Sequence, residues 1–228
     1  MKNKNDVVIV SQARLNSQRI KEKMLLPIGD TSLWGIACDR MKELQNLGYN
    51  TLVAAGDQPL IDKASEHGIE DIWLRCTEGC NVDVGLHLIY EWWDKTPYKY
   101  CVLINPCLPF LKVETVVGFV NKYIEIEHEG LFGVMKKKDY FWDSAHNLQT
   151  PWPDNCDILN TKAVCETYQA AHALYGSRMD LVGEGKWMGD FSKNNPALFV
   201  MDETECFDID YEFQYRMAKI LWENDWKP

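Results

Sequence analysis

Short apolar runs alternate with amphipathic stretches along most of the chain, and this alternation restricts the fold more than any other feature. Strand-like runs lie at 7–11 (VVIVS), 51–55 (TLVAA), 70–75 (EDIWLR), 100–105 (YCVLIN) and 130–135 (GLFGVM). Helix-like stretches lie between them at about 31–46, 59–67, 82–94 and 113–127. Short apolar strands separated by helices are typical of a parallel sheet that is covered on both faces. The sequence therefore predicts an α/β sandwich.

The segment 136–155 interrupts this alternation with charges, aromatic residues and two prolines. We interpret it as an excursion from the sheet. Beyond it the sequence predicts a strand at about 156–160, a helix at about 161–175, a strand at 197–201 and a last helix at about 210–224. Since no Pro/Ser-rich linker or repeat divides the chain, we expect a single domain over residues 1–228.

The charge balance limits the partners. The chain has 24 Lys and Arg against 34 Asp and Glu, a net charge of −10, which argues against binding to nucleic acid or to an acidic membrane surface. No apolar run reaches the roughly 18 residues of a membrane span, and the first is too short for a signal sequence. We therefore expect a cytoplasmic protein whose eight cysteines are reduced, because disulfide frameworks are typical of secreted chains. Their spacing also lacks the CxxC pairing of a zinc ribbon.

Four cations follow the first predicted strand closely: Arg14, Arg19, Lys21 and Lys23. Ligands of open α/β sheets sit beyond the carboxyl ends of the strands, and guanidinium groups bind phosphate oxygens in bidentate fashion. The segment lacks both the GxGxxG dinucleotide fingerprint and the P-loop pattern. Its charges alone are equally compatible with a solvated surface loop and with a site for a polyanionic ligand.

Asp208 and Asp210 form a second candidate site. Residues two apart on an extended segment point to the same side, so the two carboxylates are expected to converge. Paired carboxylates bind Mg²⁺, which also bridges substrate phosphates. An N-cap on the helix that follows is the simpler alternative for Asp210, but it does not account for Asp208.

Three segments together resemble the sugar-acid cytidylyltransferases, a family that includes CMP-sialic acid synthetases and 3-deoxy-manno-octulosonate cytidylyltransferases. They are ARLNSQRIKEKMLLP at 13–27, VLINPCLPFL at 102–111 and FDID at 207–210. Each is short, but they occur in the order that the family has. The resemblance implies a Rossmann-like nucleotidyltransferase fold that binds CTP over the first loop and uses Mg²⁺.

The resemblance also implies roles for single residues. Arg14 and Lys23 fall at positions that contact the triphosphate, Ala13, Ser17 and Arg19 belong to the same nucleotide loop, and Asp208 with Asp210 falls at the metal pair. Asn105 falls where sialic acid synthetases place a sugar-contacting glutamine. Arg75 and Asp83 map near the cytidine and Asn155 near the sugar, although Asp83 is also explained as a favourable charge at a helix N-terminus.

Two further features refine the resemblance. Residues 106–109 (PCLP) provide no carboxylate where the octulosonate enzymes have a metal aspartate, which favours the sialic-acid-like branch. The similar string GDQPL at 56–60 follows the second strand and does not fill that place. The excursion at 136–155 corresponds to the family's dimerisation arm, so a homodimer is expected, with an arm shorter than usual.

The resulting hypothesis is a Mg²⁺-dependent cytidylyltransferase that joins CMP from CTP to an acidic, sialic-acid-like sugar and releases pyrophosphate. No side-chain base is apparent in the sequence. A non-sugar anionic acceptor such as a phosphonate is the alternative within enzymes. A non-catalytic nucleotide-binding relative is the alternative outside them, and it is favoured by Met24 and by the pair Lys21 and Glu22, where the family has other residues.

Overall fold

The structure is a computed structural model, and it describes residues 2–80, 84–154, 157, 161–189, 191–192 and 194–226. The strands are β1 (Val7–Ala13), β2 (Pro27–Ile28), β3 (Thr31–Ser32), β4 (Asn50–Ala55), β5 (Ile72–Leu74), β6 (Tyr100–Ile104), β7 (Leu131–Lys137), β8 (Thr167–Arg178) and β9 (Ala197–Met201). The helices are α1 (Leu33–Asn46), α2 (Gln58–Glu66), α3 (Leu86–Ile89), α4 (Val113–Glu125), α5 (Met179–Gly183) and α6 (Glu212–Glu223).

Seven of these strands form the main sheet, in the order β5-β4-β1-β6-β8-β7-β9. β1 pairs in parallel with β4 and β6, β4 pairs in parallel with β5, and β7 with β9. Only β8, among the described strands of this sheet, runs against its neighbours β6 and β7. The predicted mostly parallel α/β sheet is therefore confirmed.

The sheet has apolar packing on both faces, as the predicted sandwich requires. Successive residues of β1 alternate between the two sides: Val7 and Ile9 belong to the larger core cluster, which packs under α1, α2, α4 and α6. Val8 and Val10 belong to the smaller cluster on the other side, together with Trp92. This alternation explains why the run VVIV is apolar throughout. No helix in the described part of the chain has the length and apolar character needed to cross a bilayer.

One predicted element is wrong. The helix expected at 161–175 is absent, and most of that range belongs to β8, which starts at Thr167. The string QAAHAL favours a helix by propensity, but it lies between β6 and β7 and pairs with both. Tertiary pairing decides the conformation of such a segment. The strand expected at 156–160 falls almost wholly outside the described residues.

Other predicted bounds shift. The helix expected at 82–94 is shorter, with helical geometry only at Leu86–Ile89 among its described residues. Of the excursion predicted at 136–155, the first two residues belong to β7, and the described residues that follow form a short hairpin in which Trp142 and Leu148 make an antiparallel bridge. Asp143 closes its turn, because one carboxylate oxygen accepts hydrogen bonds from the amides of Ala145 (2.9 Å) and Asn147 (2.9 Å).

Candidate functional site

A cavity of about 480 Å³ opens at the carboxyl ends of β1 and β6. These two strands are neighbours, and the chain continues from β1 to β4 in one direction along the sheet and from β6 to β7 in the other. Open α/β sheets bind their ligands at such a point. Its walls come from the end of β1, the loop after it and the loop after β6, and comprise Gln12, Ala13, Arg14, Ser17, Gln18, Arg19, Lys23, Met24, Asn105, Pro106 and Cys107. The first two sequence segments singled out above therefore meet at one cavity.

The loop after β1 is fixed by a contact from the neighbouring strand. The amide of Leu15 donates to Oδ2 of Asp57 at 2.8 Å, and the amide of Ser17 donates to the carbonyl of Leu15 at 2.7 Å. Asp57 belongs to the string GDQPL, which follows β4 and leads into α2, as the sequence predicted. Its carboxylate shapes the first loop.

Lys23 and Arg19 bring this loop to the segment that carries the two aspartates. Nζ of Lys23 donates to the carbonyl of Ile209 at 2.5 Å and to Oδ1 of Asp210 at 3.1 Å. A guanidinium nitrogen of Arg19 lies 2.7 Å from the same oxygen of Asp210, and the guanidinium lies over the ring of Tyr211. The third sequence segment thus closes the same site.

The environment keeps Lys23 charged. Burial opposes the positive charge of Lys23, but its contacts with Cys107, Asp210 and Asp208 outweigh that effect and raise its pKa. Lys23 starts a short 3-10 turn, Lys23–Leu25, and only about a tenth of its side chain is exposed. A buried ammonium beside a cavity is suited to an anionic ligand.

The carboxylate of Asp208 is buried and only partly hydrogen-bonded. Its Oδ2 accepts from Nδ2 of Asn105 at 3.1 Å, whereas its Oδ1 is buried and has no hydrogen-bond partner among the described residues. Burial, and then the negative charge of Asp210, raise the pKa of Asp208. A cation at the free oxygen would satisfy it and remove the repulsion from Asp210.

The carboxylates of Asp208 and Asp210 could hold a magnesium ion. No group of three or more His, Cys, Asp or Glu side chains suited to a metal occurs within the described ranges, but Mg²⁺ in nucleotide enzymes uses one or two carboxylates and completes its shell with water and phosphate. The N-cap alternative for Asp210 does not hold, since α6 starts after Tyr211. Instead, the side-chain oxygen of Gln214 accepts from the amides of Asp210 (2.8 Å) and Tyr211 (2.7 Å).

Asn105 links the cavity to β8. Its Nδ2 also donates to the carbonyl of His172 at 2.9 Å, and its Oδ1 accepts from the amide of Cys107 at 2.9 Å. Both ends of the amide are therefore used within the protein. The position is where the family resemblance expects a contact to the sugar.

Arg14 and Arg75 have different surroundings. Arg14 lies on the cavity wall and donates to the carbonyl of Cys80, with no carboxylate bonded to it among the described residues. Arg75 is only 8% exposed and donates to the carbonyls of Ala13 (3.3 Å), Gly79 and Ile89 (3.2 Å). Burial lowers its pKa. Arg75 thus stabilises the backbone behind the cavity. The other two residues predicted for the site, Asp83 and Asn155, lie outside the described residues.

The sequence interpretation missed His172. This histidine is exposed on β8, has a left-handed φ of 51°, and its charge acts to lower the pKa of Asp208. Its Nδ1 lies 3.5 Å from the hydroxyl of Tyr175. Because the segment was assigned to a helix, no sequence signal could place His172 beside Asn105.

A larger cavity, of about 710 Å³, lies at the other end of the sheet, near Tyr100. Two of its cations are already paired with carboxylates, Arg178 with Glu129 and Asp180 and Lys99 with Asp6 at 3.2 Å. A third, Lys2, donates to the carbonyls of Ile126 and His128. The cavity of about 480 Å³ is lined by Arg14, which has no bonded carboxylate among the described residues, and by Asn105, which contacts the incompletely satisfied carboxylate of Asp208. It is therefore the better candidate for a functional site.

No protein-family model and no curated protein matches the sequence. Solved structures do. CMP:2-keto-3-deoxy-manno-octonic acid synthetase complexed with CTP aligns over 96% of this chain and 99% of its own, at 15% identity and a TM-score of 0.65. The 4-diphosphocytidyl-2C-methyl-D-erythritol synthase of Anaerococcus prevotii aligns over 95% and 98%, at 11% identity and 0.63. A cytidylyltransferase from Leptospira borgpetersenii aligns over 96% and 87%, at 14% identity and 0.61.

These alignments establish the fold. The chain has the α/β nucleotidyltransferase fold expected from the sequence, over nearly its whole length. Two of the structures differ in the acceptor that their names indicate, so the fold leaves the acceptor open.

Proposed function

We propose that the protein is a Mg²⁺-dependent cytidylyltransferase that transfers CMP from CTP to an acidic sugar of the 2-keto sugar acid class and releases pyrophosphate. The observation that carries the proposal is the convergence of three separate segments on one cavity: the cationic loop after β1, the Asn105 loop after β6, and the Asp208–Asp210 segment. Similarity to a synthetase complexed with CTP supports the choice of nucleotide.

The cationic and the anionic residues of the site have different roles. Arg14, Arg19 and Lys23 hold the triphosphate, and Asp208 with Asp210 would hold Mg²⁺, which neutralises charge on the phosphates. An acceptor oxygen attacks the α-phosphate in line, so the protein contributes positioning and electrostatic stabilisation.

The acceptor side is the one beyond Asn105. The backbone carbonyl of His172 accepts from the amide of Asn105, and its exposed side chain is near enough to Asp208 to influence that carboxylate. An imidazole in this place can bind a carboxylate or accept a proton from a hydroxyl. This combination supports an acidic sugar over a neutral alcohol. A phosphonate acceptor would use the same groups.

The test is an acceptor screen. Pyrophosphate release from CTP with Mg²⁺ is measured with a panel of acidic 2-keto sugars and phosphonates, alongside UTP, ATP and GTP. We expect release with CTP and at least one sugar acid. A melting temperature that CTP and Mg²⁺ leave unchanged would refute both enzymatic proposals, and CTP binding without release for any acceptor would favour the non-catalytic relative.

We also propose a homodimer that forms through the hairpin beyond β7. Large apolar side chains of this hairpin are exposed, among them Trp142 (56%) and Trp152 (46%), and contiguous exposed apolar surface indicates an interaction site. Light scattering of the purified protein should give twice the mass of one chain. The double variant Trp142→Ser and Trp152→Ser should give one chain's mass, whereas Phe213→Ser, an exposed aromatic on α6, should leave the dimer intact.

A further inference from the structure

Two charged side chains are buried beneath the loop that follows β6. Arg40 on α1 is 5% exposed and Glu205, in the turn before Asp208, is 6% exposed. Burial lowers the pKa of Arg40 to about 10, although attraction to Glu205 acts against the lowering. Arg40 is therefore charged at neutral pH. Buried charges of this kind are costly, and apolar replacements are often as stable, so their presence calls for a role beyond packing.

Arg40 fastens the loop to α1. Its Nε donates to the carbonyl of Leu111 at 2.8 Å and its Nη2 donates to the carbonyl of Leu108 at 2.7 Å. The planar guanidinium holds its donors in a fixed fork, so it binds both carbonyls in one defined geometry. The same loop starts with Asn105 and Cys107, which line the cavity.

Glu205 links the segment that carries the two aspartates to the C-terminal end of that loop. Its Oε2 accepts from the amide of Lys112 at 3.1 Å. Further along, the amide of Ile209 donates to the carbonyl of Cys107 at 3.1 Å. Because Ile209 stands between Asp208 and Asp210, this contact places both carboxylates relative to the loop.

We propose that Arg40 and Glu205 are positioning residues. They hold the Asn105 loop and the Asp208–Asp210 segment in fixed positions relative to each other, and this orients the side chains at the metal-binding end of the site. The metal part of this inference rests on the proposed function. Groups that orient metal-binding side chains from behind influence metal affinity strongly, although they never touch the metal or the substrate.

The variants are Glu205→Gln, which keeps a carbonyl oxygen for the amide of Lys112 but loses the charge, and Arg40→Met. Their matched controls are Glu212→Gln and Arg216→Met, an exposed pair on α6 that is joined at 3.0 Å. The first measurement is hydrogen–deuterium exchange, followed by mass spectrometry of peptides covering 105–112 and 205–210. We expect exchange in both peptides to accelerate about tenfold or more in Arg40→Met, with β1 and β4 and both controls unchanged.

The second measurement is the Mg²⁺ concentration that half-saturates pyrophosphate release. It should rise about 10- to 100-fold in Glu205→Gln and Arg40→Met, while CTP binding without metal changes less than about threefold. Two results would overturn the inference: uniformly faster exchange across the chain, or faster exchange confined to the two peptides with an unchanged Mg²⁺ requirement. Either would mean that Arg40 and Glu205 only stabilise the core. If the wild type responds to neither CTP nor Mg²⁺, the proposed function fails together with the metal part, and the exchange rates still decide whether Arg40 and Glu205 hold the loop.

Discussion

Replacing Asp208 with asparagine should lower the rate of pyrophosphate release from CTP by about 10³-fold without lowering the melting temperature. The carboxylate of Asp208 is buried and has one oxygen without a partner, so its charge disfavours the empty folded protein. Asparagine retains an oxygen for the amide of Asn105 and removes that charge. An activity loss without a stability loss is characteristic of functional sites that are destabilised by their own charges.

The control is Asp94→Asn, an exposed carboxylate paired with Lys95 at 2.8 Å, which should change neither quantity. A comparable loss of melting temperature in Asp208→Asn would contradict the prediction, since it would make Asp208 a structural residue.

The pH dependence of stability gives a second readout on Asp208. The pKa of Asp208 in the folded protein lies above its ordinary value of 3.8, so the folded state binds the proton more tightly than the unfolded chain does. This stabilisation is complete below pH 3.8 and is lost as the pH rises through the folded-state pKa. The free energy of unfolding of the wild type, relative to Asp208→Asn, should therefore decrease over that interval in urea titrations.

Replacing Lys23 with methionine should weaken CTP binding about 10- to 100-fold and lower the free energy of unfolding by about 1–3 kcal/mol. Lys23 donates to both Ile209 and Asp210, so its loss removes a triphosphate ligand and also leaves two aspartates near each other with less compensation. Here both binding and stability should fall. Calorimetry with CTP and urea unfolding measure the two effects separately.

Lys21→Met provides the matched control from the same loop. Lys21 is exposed, and it was singled out in the sequence only as one of four neighbouring cations. Its replacement should change CTP affinity by less than about twofold and leave stability unchanged. Equal losses in Lys21→Met and Lys23→Met would mean that the loop acts through its overall charge, and would refute the specific role of Lys23.

The candidate site could be assembled from the sequence to a large extent, because its parts are local strings. The loop after β1 and the Asp208–Asp210 segment carry unusual residues at fixed short spacing, and the position of a loop after a parallel strand is predictable. The structure adds their contact, through Lys23 and Asp210 at 3.1 Å. The roles of Arg14, Lys23, Asp208 and Asp210 in turnover remain predictions for the variants above.

The conformation of β8 and the role of Arg40 could not be predicted, because both depend on contacts with residues far away in the chain. β8 was predicted as a helix, since an alanine-rich string favours helix locally, whereas pairing with β6 and β7 makes it a strand. Because of that error, the position of His172 near Asn105 was not predicted either. In the sequence, nothing distinguishes Arg40 from another arginine on an amphipathic helix. Its guanidinium binds the carbonyl of Leu108, which is 68 positions further along the chain.

The sequence by itself determined the α/β class, the parallel arrangement around β1 and the segments that form the site, because apolar periodicity and short motifs are properties of neighbouring residues. Only the tertiary structure decided the reversed strand β8, the burial of Lys23, the unsatisfied oxygen of Asp208 and the two buried charges behind the site. These features arise from contacts between residues that are 30 to 190 positions apart, and the energies of burial, pairing and desolvation that govern them exist only once the chain has folded.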